Sequence, residues 1–135
     1  MIVDTSALFA FFDAKDPHHA AVASLLMAAD EPLIVSPYVI AELDYLVMTR
    51  IGVVAELKVL RELAGGAWDL ADVPLEVLQR AAAIVADYAD DKVGVTDAVN
   101  VALAERHRTL RIATLDRRHF GVLRHAGGEV LQIVP

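Results

Sequence analysis

Short apolar runs alternate with longer amphipathic segments along the whole chain. The apolar runs have the length of buried strands, and the segments between them repeat apolar residues at helical spacing. The predicted strands are MIVD (1–4), PLIVS (32–36), AWDLADV (67–73), RIATL (111–115) and EVLQIV (129–134). This alternation predicts a single α/β domain over residues 1–135, with three α/β/α layers around a mainly parallel sheet of about five strands.

Turn and capping residues predict where the helices begin and end. Asp16-Pro17 and Ser36-Pro37 are start signals, and Gly65-Gly66 is a stop signal. Thr96 is expected to cap a helix that begins at Asp97. The predicted helices cover 5–13, 17–29, 37–50, a segment between Gly52 and Gly65, 74–90 and 97–108.

Composition narrows the class of protein. Hydrophobic residues make up 56% of the chain, which excludes intrinsic disorder. The longest apolar stretch, at 20–29, is too short to span a bilayer, and the N-terminus lacks the features of a signal peptide. The absence of cysteine excludes disulfides and thiolate metal sites. We therefore expect a cytoplasmic protein that is not associated with a membrane.

The net charge of −7 is unevenly distributed. Residues 1–91 contain 5 lysines and arginines against 15 aspartates and glutamates, whereas residues 92–135 contain 7 against 4. An acidic chain binds nucleic acid poorly without specific contacts. The basic last third is either a local binding patch or ordinary surface charge.

Two acids stand directly at the ends of predicted strands. Asp4 follows the first strand and Asp116 the fourth. Each is also a good helix N-cap, so position alone leaves both roles open. Because the carboxyl ends of parallel strands meet at one edge of a sheet, the two side chains are expected to converge.

Two further acids lie on predicted helices. Glu42 has apolar neighbours at i−3 and i+4 and is expected to lie against the buried stripe, but Asp44 has equivalent neighbours. Asp97 stands in a first helical turn, where a carboxylate is favoured by the helix dipole. Asn100, at i+3 from Asp97, adds an amide to the same face.

A cluster of these carboxylates requires a cation, because like charges in one site repel each other. An oxygen-only site favours Mg²⁺, with Mn²⁺ as a substitute. Such a site can orient a phosphodiester and activate water against it.

Four segments together resemble the PIN-domain nucleases, in particular the VapC toxins of type II toxin–antitoxin modules. They are IVDTSALFAFFD, SPYVIAELDYLV, YADDKVGVTDAVNVALAERH and RIATLDRRHF, and they occur in the family's order. The resemblance implies a PIN-like fold and selects Glu42 over Asp44. It also implies that Asp4, Glu42, Asp97 and Asp116 are catalytic and bind the metal. The segment from Tyr88 to Gly94 departs from the usual pattern, since Lys92 stands where proline is common.

The resemblance further implies an activity and partners. A Mg²⁺-dependent endoribonuclease toxin is expected, which cleaves structured RNA of translation, such as tRNA or an rRNA loop, and is neutralised by a VapB antitoxin. Candidates to orient the carboxylates are Thr5, Ser6, Asn100 and Thr114. A homodimer is expected, because YVIAELDYLVM and AVASLLMAA offer more apolar positions than one core face needs.

The sequence assigns further residues to RNA binding, to the core or to the surface. Arg117 and Arg118 directly follow Asp116 and are the candidates for RNA binding, with His119 among the residues that could contact phosphates. Trp68 and Phe120 are expected in the core. His18 and His19 are expected in a solvated first turn.

Two alternatives to the ribonuclease remain open. One is a catalytically silent PIN-fold binding module. The other is an aspartate-based phosphotransfer protein, although Ser6 stands where the phosphatase type needs a second acid and no lysine follows Lys92.

Overall fold

Five short parallel strands form one sheet in the computed structural model, which describes all 135 residues. The strands are β1 (Ile2–Val3), β2 (Ile34–Val35), β3 (Asp69–Leu70), β4 (Arg111–Ala113) and β5 (Gln132–Val134). Their order is β3-β2-β1-β4-β5, and every neighbouring pair is parallel. The predicted strand count and the parallel sheet are confirmed.

Seven α-helices connect and cover the strands. They are α1 (Thr5–Phe12), α2 (His19–Met27), α3 (Pro37–Arg50), α4 (Val53–Leu63), α5 (Leu75–Asp87), α6 (Val95–Arg106) and α7 (Arg117–Val122), with a 3₁₀ turn at Ala89–Asp91. None of them combines the length and the apolar content needed to cross a membrane.

The sheet separates two apolar cores, because successive strand residues point to opposite faces. Ile2 and Ile112 pack with residues of α5, α6 and α7 in one core. Val3 and Ala113, the next residues of the same strands, pack with residues of α1 to α4 in the other core. The predicted three-layer arrangement is therefore confirmed.

Some element boundaries differ from the predictions. The helix expected from Asp97 begins two residues earlier with Gly94 as its N-cap, so Thr96 lies inside the first turn and caps nothing. The first helix signal, Asp16-Pro17, forms a turn in which Asp16 accepts a hydrogen bond from the His18 backbone, and α2 starts only at His19. Ser36 does cap α3 as expected, accepting from the Val39 backbone N–H at 3.1 Å.

The strand order creates a crevice in the middle of the sheet. From β1 the chain passes to β2 and β3 on one side, and it then crosses to β4 and β5 on the other. At such a switch point the connections leave adjacent strands in opposite directions, which opens a space beyond their carboxyl ends. The strands at the switch point are β1 and β4, which Asp4 and Asp116 follow.

Candidate functional site

Asp4 directly follows β1 at this switch point and is almost completely buried, at 5% exposure. It is the N-cap of α1, and its backbone N–H continues the sheet ladder to the Ala113 carbonyl. Its Oδ2 accepts hydrogen bonds from the Ser6 and Thr114 hydroxyls, both at 2.8 Å. Its Oδ1 accepts from the Asn100 amide at 3.2 Å. Asp4 is therefore both a helix cap and the centre of a polar network.

Burial raises the pKa of Asp4 above its ordinary value, although the hydrogen bonds from Ser6 and Thr114 oppose the shift. Desolvation penalises the charged carboxylate more than these donors stabilise it. A buried acid of this kind is costly unless a cation compensates it.

Glu42 reaches the crevice from α3. Its Oε2 accepts a hydrogen bond from the Thr5 hydroxyl at 2.8 Å, and its Oε1 accepts from the Thr96 hydroxyl at 2.7 Å. The residue as a whole is exposed, but both threonines that donate to its carboxylate are buried. Asp44 has no comparable partners, and its Oδ1 is buried without a hydrogen bond.

Asp97 and Asp116 meet at a histidine. The Nδ1 atom of His119 lies 3.2 Å from Asp97 Oδ2 and 3.1 Å from Asp116 Oδ2. Asp116 is also the N-cap of α7, because its Oδ1 accepts from the backbone N–H groups of Arg118 and His119, both at 3.0 Å. The cap role and the site role of Asp116 therefore coexist.

The pKa of Asp97 indicates that the other three acids lie close to it. Its pKa is raised to about 6, first by desolvation and then by the negative charge of Asp4. His119 opposes the shift, and Asp116 and Glu42 add smaller raising effects. The structure thus brings the four predicted acids together at the carboxyl edge of the sheet.

Comparison with known proteins decides the family. The PIN domain family matches residues 1–125. The chain is also 57% identical to Ribonuclease VapC26 of Mycobacterium tuberculosis, in an alignment that covers 100% of both chains. The chain belongs to the PIN-domain proteins of the VapC family.

Two solved structures share the PIN fold at low sequence identity. VapC20 of M. tuberculosis, described as a sarcin-ricin loop cleaving toxin, has a TM-score of 0.79 at 19% identity and covers 85% of this chain and 88% of its own. FitAcB of Neisseria gonorrhoeae has a TM-score of 0.61 at 17% identity, covering 89% and 90%. Both comparisons support the assigned architecture.

Two residues of this VapC-family site were not predicted as members of it. Thr96 was assigned to a helix cap and instead donates a hydrogen bond to Glu42. His119 was a candidate for phosphate contacts and lies within ion-pair distance of two acids. The spacing contained a signal for His119, because i and i+3 share a helix face and Asp116 stands three residues earlier. The local sequence contains no comparable signal for Thr96.

The hydroxyl and amide candidates all contact the acids. Thr5 contacts Glu42, while Ser6, Asn100 and Thr114 contact Asp4. Ser6 Oγ also accepts from the Leu115 backbone at 2.9 Å and lies 3.1 Å from Thr114 Oγ1, which joins the ends of β1 and β4.

The two arginine candidates lie on the surface beside the site. The guanidinium of Arg117 donates to the Pro135 carbonyl at 2.8 Å, whereas the exposed side chain of Arg118 makes no hydrogen bond or ion pair.

Trp68 and Phe120 are buried, as expected. The prediction that His18 and His19 are both solvated is correct only for His18, which is exposed. His19 is half-buried, and its Nδ1 lies 2.9 Å from the Ala10 carbonyl oxygen.

The donor set fits Mg²⁺ in charge and chemistry. The site contributes carboxylate oxygens. Burial raises the pKa of Asp4, and burial together with neighbouring negative charges raises the pKa of Asp97; a bound cation would oppose both shifts. Asn100 Oδ1 is in addition a buried oxygen without a partner. As arranged, no three acids or histidines lie close enough together to hold one ion.

Proposed function

We propose that this VapC-family protein is a Mg²⁺-dependent endoribonuclease toxin that cleaves structured RNA of the translation apparatus. The observation that supports it most is the meeting of Asp4, Glu42, Asp97 and Asp116 at the switch point of the sheet, where desolvation and the neighbouring acids raise the pKa of Asp97. The 57% identical relative is a ribonuclease, which favours RNA over other phosphodiesters.

Mg²⁺ or Mn²⁺, when bound by the four carboxylates, would polarise the scissile phosphate and assist the activation of water. The chain itself supplies the positioning. Ser6, Thr114 and Asn100 fix both oxygens of Asp4, so this carboxylate is held in one orientation before metal binds. Thr5 and Thr96 hold Glu42 from two different helices and thereby restrict its flexible side chain.

Incubation of the purified chain with total cellular RNA tests the proposal. We expect discrete cleavage products in Mg²⁺ or Mn²⁺ and none in EDTA, with cut sites mapped by end sequencing. Binding of RNA without cleavage in either metal would favour the silent binding module. Transfer of phosphate to the protein from a small phosphodonor would favour the phosphotransfer alternative.

RNA binding by such an acidic chain must depend on few basic residues. Two arginines of the basic last third are engaged within the protein: Arg111 pairs with Glu31, and Arg124 donates to the carbonyls of Gly121 and Leu123. Arg118 is free and adjoins Asp116, so it is the better phosphate ligand of the two candidates.

We expect Arg118→Ala to weaken RNA binding more than Arg117→Ala. Loss of one phosphate contact reduces the slope of log affinity against log salt by about one. Filter binding of a fixed RNA fragment over a range of salt concentrations, in Ca²⁺ to suppress cleavage, measures this slope. Equal slopes in the wild type and both variants would show that neither arginine contacts RNA phosphate and that RNA binds elsewhere on the protein.

An apolar groove favours an antitoxin as partner. It has a volume of about 450 Å³ between α1, α3 and α4, with an apolar lining of Phe11, Phe12, Val47, Ile51, Ala55 and Val59. Exposed apolar side chains continue the surface along α4, including Val54 at 72% and Leu57 at 47% exposure. Such a surface suits the apolar face of a partner helix, and we assign it to a VapB-type antitoxin.

We expect Ile51→Glu to prevent complex formation with a co-expressed cognate antitoxin while RNA cleavage by the free protein persists. The charge would be removed from water against the partner's apolar face, at a cost of several kcal/mol. Co-purification measures the complex, and Val130→Glu, at another exposed apolar residue, is the matched control. An Ile51→Glu protein that still co-purifies would contradict the assignment of the groove.

A homodimer is the second proposed assembly. The edge strand β3 and the following α5 expose Leu70, Leu75 and Leu78, at 44%, 65% and 40%. An unpaired edge with apolar neighbours is a common site of association between copies. We expect analytical ultracentrifugation at micromolar concentration to give twice the mass of one chain, and Leu75→Glu to give a single-chain mass.

A further inference from the structure

A basic turn ends the buried helix α6 at the edge of the sheet opposite to the four acids. Arg106, His107 and Arg108 are consecutive, and all three are exposed. They precede the amino end of β4, whereas Asp116 follows its carboxyl end, so the turn and the acidic site lie at opposite edges of the sheet. The rise along α6 from Asp97 to Arg106 is about 14 Å.

Arg108 has a backbone conformation that favours glycine. Its φ is 53°, in the left-handed region. The backbone N–H of Arg108 donates to the Glu105 carbonyl at 3.2 Å, and that of Thr109 donates to the Ala104 carbonyl at 3.0 Å, which are the two hydrogen bonds of a Schellman motif. Glycine is the usual residue at this position, because it has no Cβ. The arginine therefore strains the backbone, and strain of this kind indicates a function for its side chain.

The two arginine side chains of this turn have no partner within the protein. Neither Arg106 nor Arg108 makes a side-chain hydrogen bond or an ion pair, and both are exposed. The preceding acid, Glu105, has both carboxylate oxygens bound by Arg80 at 2.9 Å, and the ten residues after it contain no acid. Glu76 lines the same concave surface as Arg106, so Arg108 is the less compensated of the two arginines.

We propose, on the basis of the function proposed above, that Arg106 and Arg108 bind phosphate groups of structured RNA at a distance from the scissile bond. The four acids repel RNA phosphates, so binding energy has to come from outside their crevice. A helical strand advances by about 3.4 Å per phosphate, and a distance of about 14 Å therefore corresponds to roughly four nucleotides. A folded RNA is large enough to contact the acidic site and the basic turn together.

Filter binding of unfractionated tRNA over a range of salt concentrations, in Ca²⁺ to suppress cleavage, tests the proposal. Arg106→Ala and Arg108→Gly should each reduce the slope of log affinity against log salt by about one, and the double variant by about two. Arg108→Lys keeps the charge and should keep the wild-type slope. Arg61→Ala, at an exposed arginine in the last turn of α4, is the matched control and should also keep it.

Thermal melting distinguishes RNA binding from a structural role of Arg108. Glycine relieves the left-handed strain, so Arg108→Gly should raise the Tm by about 2–5 °C although it weakens RNA binding. A Tm below that of the wild type would show that the arginine stabilises the turn and would overturn the inference.

The outcomes separate this inference from the proposed function. A wild type that cleaves cellular RNA, together with equal salt slopes in the wild type and the double variant, would overturn only the role of the turn. A wild type that cleaves no RNA, together with a slope reduced by about two in the double variant, would contradict only the ribonuclease. A double variant that keeps the wild-type slope but no longer co-purifies with the antitoxin would assign the turn to that partner and would also overturn the inference.

Discussion

Asp97→Asn is expected to lower RNA cleavage by more than about 100-fold while making the metal-free protein more stable above pH 6. The loss of activity follows from the removal of a carboxylate ligand that has no substitute in the crevice. The gain in stability follows from the surroundings of Asp97, which desolvation and the charges of Asp4, Asp116 and Glu42 make unfavourable for a carboxylate. A neutral amide of the same shape does not experience this repulsion.

The pH dependence of this stabilisation has a defined sign. The pKa of Asp97 is about 6 in the folded chain and roughly 4 when unfolded. Below pH 4 the carboxyl is protonated in both states and costs nothing. Between pH 4 and 6 the unfolded chain releases its proton first, so the stability of the wild type falls as pH rises, and above pH 6 the full cost remains.

Melting in EDTA from pH 4 to pH 8 measures the effect. The Tm of Asp97→Asn should match that of the wild type near pH 4 and exceed it above pH 6, and saturating Mg²⁺ should remove the advantage by stabilising only the wild type. Asp90→Asn, at an exposed aspartate of the 3₁₀ turn, is the matched control. Undiminished cleavage by Asp97→Asn would refute the catalytic assignment, and a Tm difference independent of pH would refute the electrostatic one.

Phe120→Ala is expected to lower the free energy of unfolding by about 3–5 kcal/mol, the usual cost of truncating a buried phenylalanine. Phe120 is completely buried and packs in the core that α7 shares with α5 and α6. Helix α7 has only 6 residues, too few to be stable without packing. Because Asp116 caps this helix and His119 lies on it, we expect the variant to lose most of its RNA cleavage as well.

Urea unfolding followed by circular dichroism measures the change, with Phe120→Leu as the matched control. Leucine refills most of the space, and its cost should be about 1–2 kcal/mol. Cleavage should therefore survive in the leucine variant. A loss below about 1 kcal/mol for alanine would show that α7 is held by contacts other than Phe120.

Much of the fold follows from local sequence patterns. Strand and helix periodicities, together with signals such as Ser36-Pro37, depend on residues close in the chain and were readable without tertiary contacts. The convergence of Asp4 and Asp116 was predictable for a similar reason, because both directly follow strands of one parallel sheet. The boundaries of α2 and α6 were not, since Pro17 and Thr96 are compatible with both a helix start and a turn.

Tertiary structure alone decided how the acids are held. Helical periodicity treated Glu42 and Asp44 alike, and the folded chain distinguishes them because Thr5 and Thr96, 37 and 54 residues away, donate to Glu42. The Asn100 and Thr114 partners of Asp4 lie 96 and 110 residues from it. The raised pKa of Asp97 likewise depends on charges from three other segments. The sequence by itself determined which elements form and which acids stand at the sheet edge. Hydrogen bonds and electrostatic interactions act over a few ångströms, and here they join residues that are far apart in the chain. Only the packed fold could therefore decide the hydrogen-bond partners and the charge of each acid.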